Sequence, residues 1–241
     1  MFDSPALQPA LRYRAPLAPA WHTAALVGLL LAVAITGTLL QPTGTQNSAS
    51  SALPTTTLAK ISARYLPLLL VNWGLLLYTT RVGRKRSALG DLLSEGARPF
   101  SRSALDLLLG IACFAAILGA EALFTAQLAA GRNAAISSLL PSTGAERLTW
   151  LLVAVSVGFC EEVVYRGYLQ TQLAAFTRSP ALGIILQAVL FGLAHLEQGP
   201  RMALRIALYG LLFGLLAHFR RSLWPGIVGH TLLDLSAAFL R

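Results

Sequence analysis

Seven apolar segments divide this chain, and each comes close to the length that crosses hydrocarbon. They are about Trp21–Leu40, Ile61–Thr80, Ala104–Ala130, Leu148–Leu169, Ala181–Leu196, Ala203–Phe219 and Leu223–Leu240. A bilayer core of about 30 Å takes roughly 20 residues at 1.5 Å of helix rise each. The pattern predicts an all-α, polytopic transmembrane helix bundle of about seven spans. The fifth segment is short, so tilt or shelter by its neighbours is expected. Composition agrees: 55% of residues are hydrophobic and only 12% charged, against about 25% charged in soluble domains. The net charge of +9 does not point to nucleic acid. The aromatics sit inside apolar runs, and most arginines lie between spans.

The connections carry the orientation. Gln41–Lys60 is rich in Ser, Thr, Ala and Pro, whereas Arg81–Arg102 holds Arg81, Arg84, Lys85, Arg86, Arg98 and Arg102 against Asp91 and Glu95. Placing that basic loop inside also places Arg12, Arg14, Arg178, Arg220 and Arg221 inside, which predicts a cytoplasmic N-terminus in a cell (inner) membrane. Arg12 and Arg14 ahead of an apolar run, followed by Ser48-Ala49-Ser50, also fit a signal peptide. The long basic region and the length of the apolar run favour a span instead. Arg64 and Arg205, near the starts of their spans, have stems long enough to snorkel. The chain divides into 1–103, with two spans and the two unlike loops, and 104–241, an embedded bundle in which 145–241 carries the motifs below. Cys113 and Cys160 both lie in apolar stretches and read as buried thiols, without a disulfide framework or CxxC pattern.

Carboxylates inside apolar helices are the strongest functional signal, because an unpaired charge in hydrocarbon costs several kcal/mol. Glu161 and Glu162 follow ten uncharged residues, Leu151 to Cys160. Adjacent helical residues point about 100° apart, so the two are not expected to share one partner. Glu162 and Arg166 stand at i and i+4 and are expected to form a buried ion pair, a supporting role. That leaves Glu161 on another face. Phe191-Gly192-Leu193-Ala194-His195 ends the fifth segment with a histidine preceded by small residues that permit close helix approach. Gly229-His230-Thr231-Leu232-Leu233-Asp234 again places two polar side chains at i and i+4. They make either a structural Asp–His contact, an oriented imidazole, or two ligands of one metal. Asp106 and Glu121 are expected near opposite membrane faces, and His22 and His218 at the interface. None of these four is assigned chemistry.

Taken in order on separate apolar helices, Glu-Glu-x-x-x-Arg, Phe-x-x-x-His and His-x-x-x-Asp resemble the motifs of the CPBP family. These are the Abi or type II CAAX prenyl endopeptidases of the Ras-converting-enzyme type, which are intramembrane proteases. The resemblance covers about residues 145–241. It implies that Glu161 and His195 activate a water, and that His230 stands at the position of the last motif's histidine. Asp234 occupies a position where the family commonly has Asn. The implied partner is a membrane-associated or lipid-modified protein or peptide substrate within the lipid bilayer. A prenylated substrate is not implied.

Two chemistries are open at this point. In a metal-free, glutamic-type version Glu161 is the general base, aided by His195. His230 then donates to the oxyanion and is oriented by Asp234. In a metalloprotease version His195, His230 and Asp234 bind zinc and Glu161 remains the base. Cofactors are therefore none or zinc, with the metal-free version preferred. A proton- or ion-coupled transporter using Glu161, His195 and Asp234 as a relay is an alternative. So is a non-catalytic immunity or partner-binding membrane protein. Counted by helix rise from the inner boundary, Glu161 falls at about 12 Å, His230 at about 10 Å and His195 at about 21 Å. That mismatch requires the fifth helix to start deeper or to tilt.

Overall fold

The computed structural model describes residues 16–39, 56–81, 100–127 and 139–239. The described residues form seven principal helices and no strand: α1 Ala20–Leu39, α2 Thr57–Arg81, α3 Phe100–Gln127, α4 Gly144–Thr177, α5 Pro180–Leu193, α6 Pro200–Arg220 and α7 Trp224–Phe239. The Ser/Thr-rich and basic connections fall largely outside the described residues. α1, α2, α3, α4 and α6 are long and apolar enough to cross a membrane. α5 and α7 are shorter, at 14 and 16 residues. The sequence anticipated this for α5 but drew α7 at nearly full length. Both are sheltered: α5 packs against α4 and α6, and α7 against α3 and α4.

α4 departs most from the sequence reading. It runs 34 residues from Gly144 to Thr177 rather than ending near Leu169. Gln170 and Gln172 lower the hydropathy there, yet both are buried. Gln170 donates to the carbonyl of Gly214 at 3.1 Å. The polar step is therefore a packing feature, not an exit from the bundle. The helix ends where the chain forces it to. Arg178 adopts a left-handed conformation at φ 56°, Ser179 caps α5 through its side chain, and Pro180 occupies the first turn.

This extension removes the depth mismatch. Eight extra residues lower the start of α5 by about 12 Å. α5 then returns antiparallel along the second half of α4. A Cβ on Gly183 would meet Ala174 and Gln170, and Phe191 meets Tyr165 edge-on at 4.9 Å. Carried on by one turn, that register sets His195 level with Glu161. Gly192 permits the tight return into α6, since a Cβ there would lie 2.5 Å from the carbonyl oxygen of Ala203, as the small residues predicted.

α2 runs parallel to α4, with Thr57 beside Thr143 and Tyr65 beside Trp150 at one end. At the other end Leu76 packs with Cys160 and Val163. α1 packs into the bundle. The Gln172 side-chain oxygen accepts from the backbone N–H of Leu17 and Ala18, and its amide donates to Thr23 at 2.7 Å. His22, expected at the interface, is fully buried instead. It stacks on Tyr78 at 4.1 Å, and its Nδ1 lies 2.6 Å from the Tyr168 hydroxyl. α1, α2 and α4 converge there, with the Tyr78 hydroxyl donating to the His22 carbonyl at 3.2 Å. Asp106 pairs with Arg220 at 2.8 Å, while Glu121 meets Arg205 at 3.1 Å and the Tyr209 hydroxyl. The two acids thus brace α3 to opposite ends of α6. Arg205, rather than snorkelling, is held by Glu121.

Candidate active site

The motif residues sit where α4, α5 and α7 meet. At Glu162 the backbone of α4 turns from α-helical to π-helical and stays so through Leu169. Such wider turns are frequent at functional sites. Next to this stretch α7 comes in closely. A Cβ on Gly158 would lie 2.5 Å from the Thr231 hydroxyl, and one on Gly226 would collide with the Glu162 carboxylate. These two glycines allow the His230 face of α7 to reach the glutamates.

His230 is the centre of the cluster. Its Nδ1 lies 3.1 Å from Glu162 Oε1. Its Nε2 lies 3.7 Å from Glu161 Oε2 and 3.9 Å from Asp234 Oδ2. The two glutamates therefore do share a partner, contrary to the helical-wheel expectation. An imidazole has two nitrogens on opposite edges, and each carboxylate takes one. The contact that fixes the ring comes from Glu162, not from Asp234 as the i, i+4 spacing suggested. Asp234 stands off at 3.9 Å, but its backbone carbonyl accepts from the Trp150 indole at 3.0 Å, which pins that turn of α7.

Glu162 also meets Arg166, Nη1 to Oε1 at 2.9 Å, with both side chains fully buried, as expected. The contact is short but poorly aligned, and the guanidinium nitrogens make no well-formed hydrogen bond. Aromatic faces hold the cation instead. Arg166 Cζ lies 4.2 Å from the Phe191 ring centre, 5.5 Å from Phe213 and 5.9 Å from Tyr165. Each such contact contributes about 0.5–2 kcal/mol when desolvated.

Phe191 links the second motif to the third. Its ring meets His195 edge-on at 4.9 Å and His230 at 5.8 Å. His195 itself follows the end of α5, and its Nδ1 lies 2.8 Å from the Phe191 carbonyl oxygen. If Nδ1 donates there, Nε2 is left as the free nitrogen of a neutral ring. Asp234 lies within electrostatic reach of His230, Glu161 and His195. All four candidate catalytic residues are thus gathered in one region.

Two contributors escaped the sequence. Phe213 on α6 stacks on His230 at 5.8 Å with 16° between planes. Nothing in its neighbourhood marks it, because a phenylalanine in an apolar helix is unremarkable there. Gly226 did carry a signal: it precedes His230 by four residues, and so shares its helix face.

His195, His230 and Asp234 are not grouped as a three-ligand metal site in this structure. Among the described residues no three His, Cys, Asp or Glu side chains are grouped so as to hold a metal. With each Nδ1 engaged, Nε2 is the remaining nitrogen of each imidazole.

Residues 143–236 match the family described as type II CAAX prenyl endopeptidase Rce1-like. No curated protein and no solved structure matches the chain. The matched segment begins at the cap of α4 and ends within α7, so it contains every motif residue above, while α1, α2 and α3 lie outside it. Helices able to cross a membrane lie both before and within that segment, as in an integral membrane protein, and residues 143–236 are similar to the CPBP, or type II CAAX endopeptidase, family of intramembrane proteases.

Proposed function

We propose that the chain is an intramembrane endopeptidase of the glutamic type, with its N-terminus cytoplasmic in a cell (inner) membrane. It would cleave a peptide bond of a membrane-associated or lipid-modified substrate through water activated by Glu161 and His195. The observation that carries this reading is the pair of contrasting glutamates on His230. Glu162 is fully buried and engaged by Arg166 and Nδ1. Each glutamate leaves its Oε2 without a hydrogen bond, but Glu161 alone keeps its side chain partly exposed, at 12%. A general base must be within reach of the reacting water.

In this scheme Glu161 takes a proton from water as the oxygen attacks the scissile carbonyl. His195 orients that water through Nε2. His230, held by Glu162 through Nδ1, presents Nε2–H to the oxyanion. One such donor is typically worth about 2.7–4 kcal/mol of transition-state stabilisation. The proton on Glu161 then passes to the leaving amine as the C–N bond breaks, which returns the carboxylate. Asp234, an acceptor only when ionised, acts as a charge beside the imidazoles rather than as an oxyanion donor.

The test is cleavage of a fluorescence-quenched, fatty-acylated peptide library by purified protein, compared with Glu161→Gln. Cleavage that disappears in the variant supports the reading. Equal signals from both proteins, or none from either, would count against it.

A further inference from the structure

The polar groups of the site are not equally enclosed, and the gradient has a direction. Toward one end of the bundle the site is sealed. Below Glu162 and Arg166 come Tyr168, Leu169, Gln170, Gln172 and Gln187, all at 3% exposure or less. Gln187 donates to Gly210 and Gln170 to Gly214, tying α4, α5 and α6 together across this plug. Toward the other end exposure rises. The side chain of Asp234, one turn beyond His230, is 29% exposed, and His195, Glu197 and Gln198 are all partly accessible. Exposed carboxylates do not face hydrocarbon, where each would cost several kcal/mol, so this end must meet water.

The two ends also differ in charge. The sealed end gathers Arg178, Arg220 and Arg221; α2 ends there at Arg81 and α3 begins there at Phe100, and the sequence between them includes Arg84, Lys85, Arg86 and Arg98. The open end has the α5–α6 turn and the start of α4, where Lys60, Arg64, Arg147, Arg201 and Arg205 stand against Glu121, Glu146 and Glu197, with Lys60 paired to Glu146 at 3.0 Å and Arg205 to Glu121 at 3.1 Å. Basic connections stay cytoplasmic. From these two gradients together we infer that the catalytic site is closed to the cytoplasm and opens to the external face of the membrane. Its substrate is then a peptide segment presented at the outer surface, not a cytoplasmic tail. The nature of this substrate rests on the endopeptidase reading; the direction of opening does not.

Direct labelling separates the two. With Cys113 and Cys160 replaced by Ala, Asp234→Cys and Gln198→Cys report access at and above the site, and Arg178→Cys reports the sealed end. A membrane-impermeant maleimide should modify positions 234 and 198 in right-side-out vesicles only, and position 178 in inverted vesicles only. Modification of 234 and 198 in inverted vesicles only, or of 198 without 234 from either side, overturns the direction of opening. Acylated quenched peptide added outside should be cleaved by right-side-out vesicles of the wild-type protein. Inverted vesicles should cleave it only after detergent. Cleavage by intact inverted vesicles alone overturns the substrate assignment. Absence of Glu161-dependent cleavage in detergent overturns the endopeptidase reading, while the labelling result stands by itself.

Discussion

Glu161 and Glu162 are chain neighbours, yet they belong to two different environments. Glu162 heads a sealed half of polar groups held tightly in place: Arg166 in its aromatic box, Gln170 and Gln187 on α6 carbonyls, and Gln172, Tyr168 and His22 locking α1. Glu161 heads the accessible half, with Asp234, His195 and Glu197. Burial with partners makes a polar side chain a fastener, because removing either partner strands the other. Partial exposure leaves a side chain within reach of water and so able to exchange protons. His230 lies on the boundary, with Nδ1 in the first environment and Nε2 in the second.

The contrast is sharpest in the two glutamine substitutions. Glu161→Gln is expected to lower cleavage by about 10²–10⁴-fold, the range of a general base, with thermal stability unchanged. Loss of stability without a specific loss of turnover would erase the distinction between the two carboxylates. Glu162→Gln strands a buried guanidinium and should cost about 3–5 kcal/mol of stability, read as a large fall in Tm. Adding Arg166→Met should recover much of that fall but not activity, since His230 has lost its anchor. Recovery of both would show that Glu162 serves packing alone.

Smaller effects refine the boundary. Gly226→Ala puts a methyl group where the Glu162 carboxylate sits and should cost about 1–3 kcal/mol. Unchanged Tm would mean that α7 and α4 can separate easily. Asp234→Asn is expected to act least, because Asp234 stands 3.9 Å from the imidazole with its side chain partly exposed. Activity should persist or rise, since the amide adds a donor, and chelators should leave it unchanged. Stoichiometric zinc in active protein, lost together with activity in this variant, would establish the metal chemistry instead.

Much of this was readable before folding. The number of helices, the Glu162–Arg166 pair and the small residue at Gly192 all follow from local spacing. Helical periodicity and the cost of charge in hydrocarbon act within one segment, so sequence alone expresses them. The sequence thus determined a helical membrane bundle with acid and histidine motifs that resemble those of the CPBP family. It did not determine what depended on other segments. Gln170 and Gln172 look like a helix exit until α6 and α1 supply their partners, and only then does α4 run to Thr177 and bring His195 level with Glu161. The sharing of His230 by two adjacent glutamates needed the π-helical turn and the close approach of α7 over Gly158 and Gly226. Phe213 reached His230 only through the packing of α6. Hydropathy counts each residue against lipid or water, whereas the fold offers a third environment, the satisfied polar interior of a bundle, and only tertiary contacts decide which residues enter it.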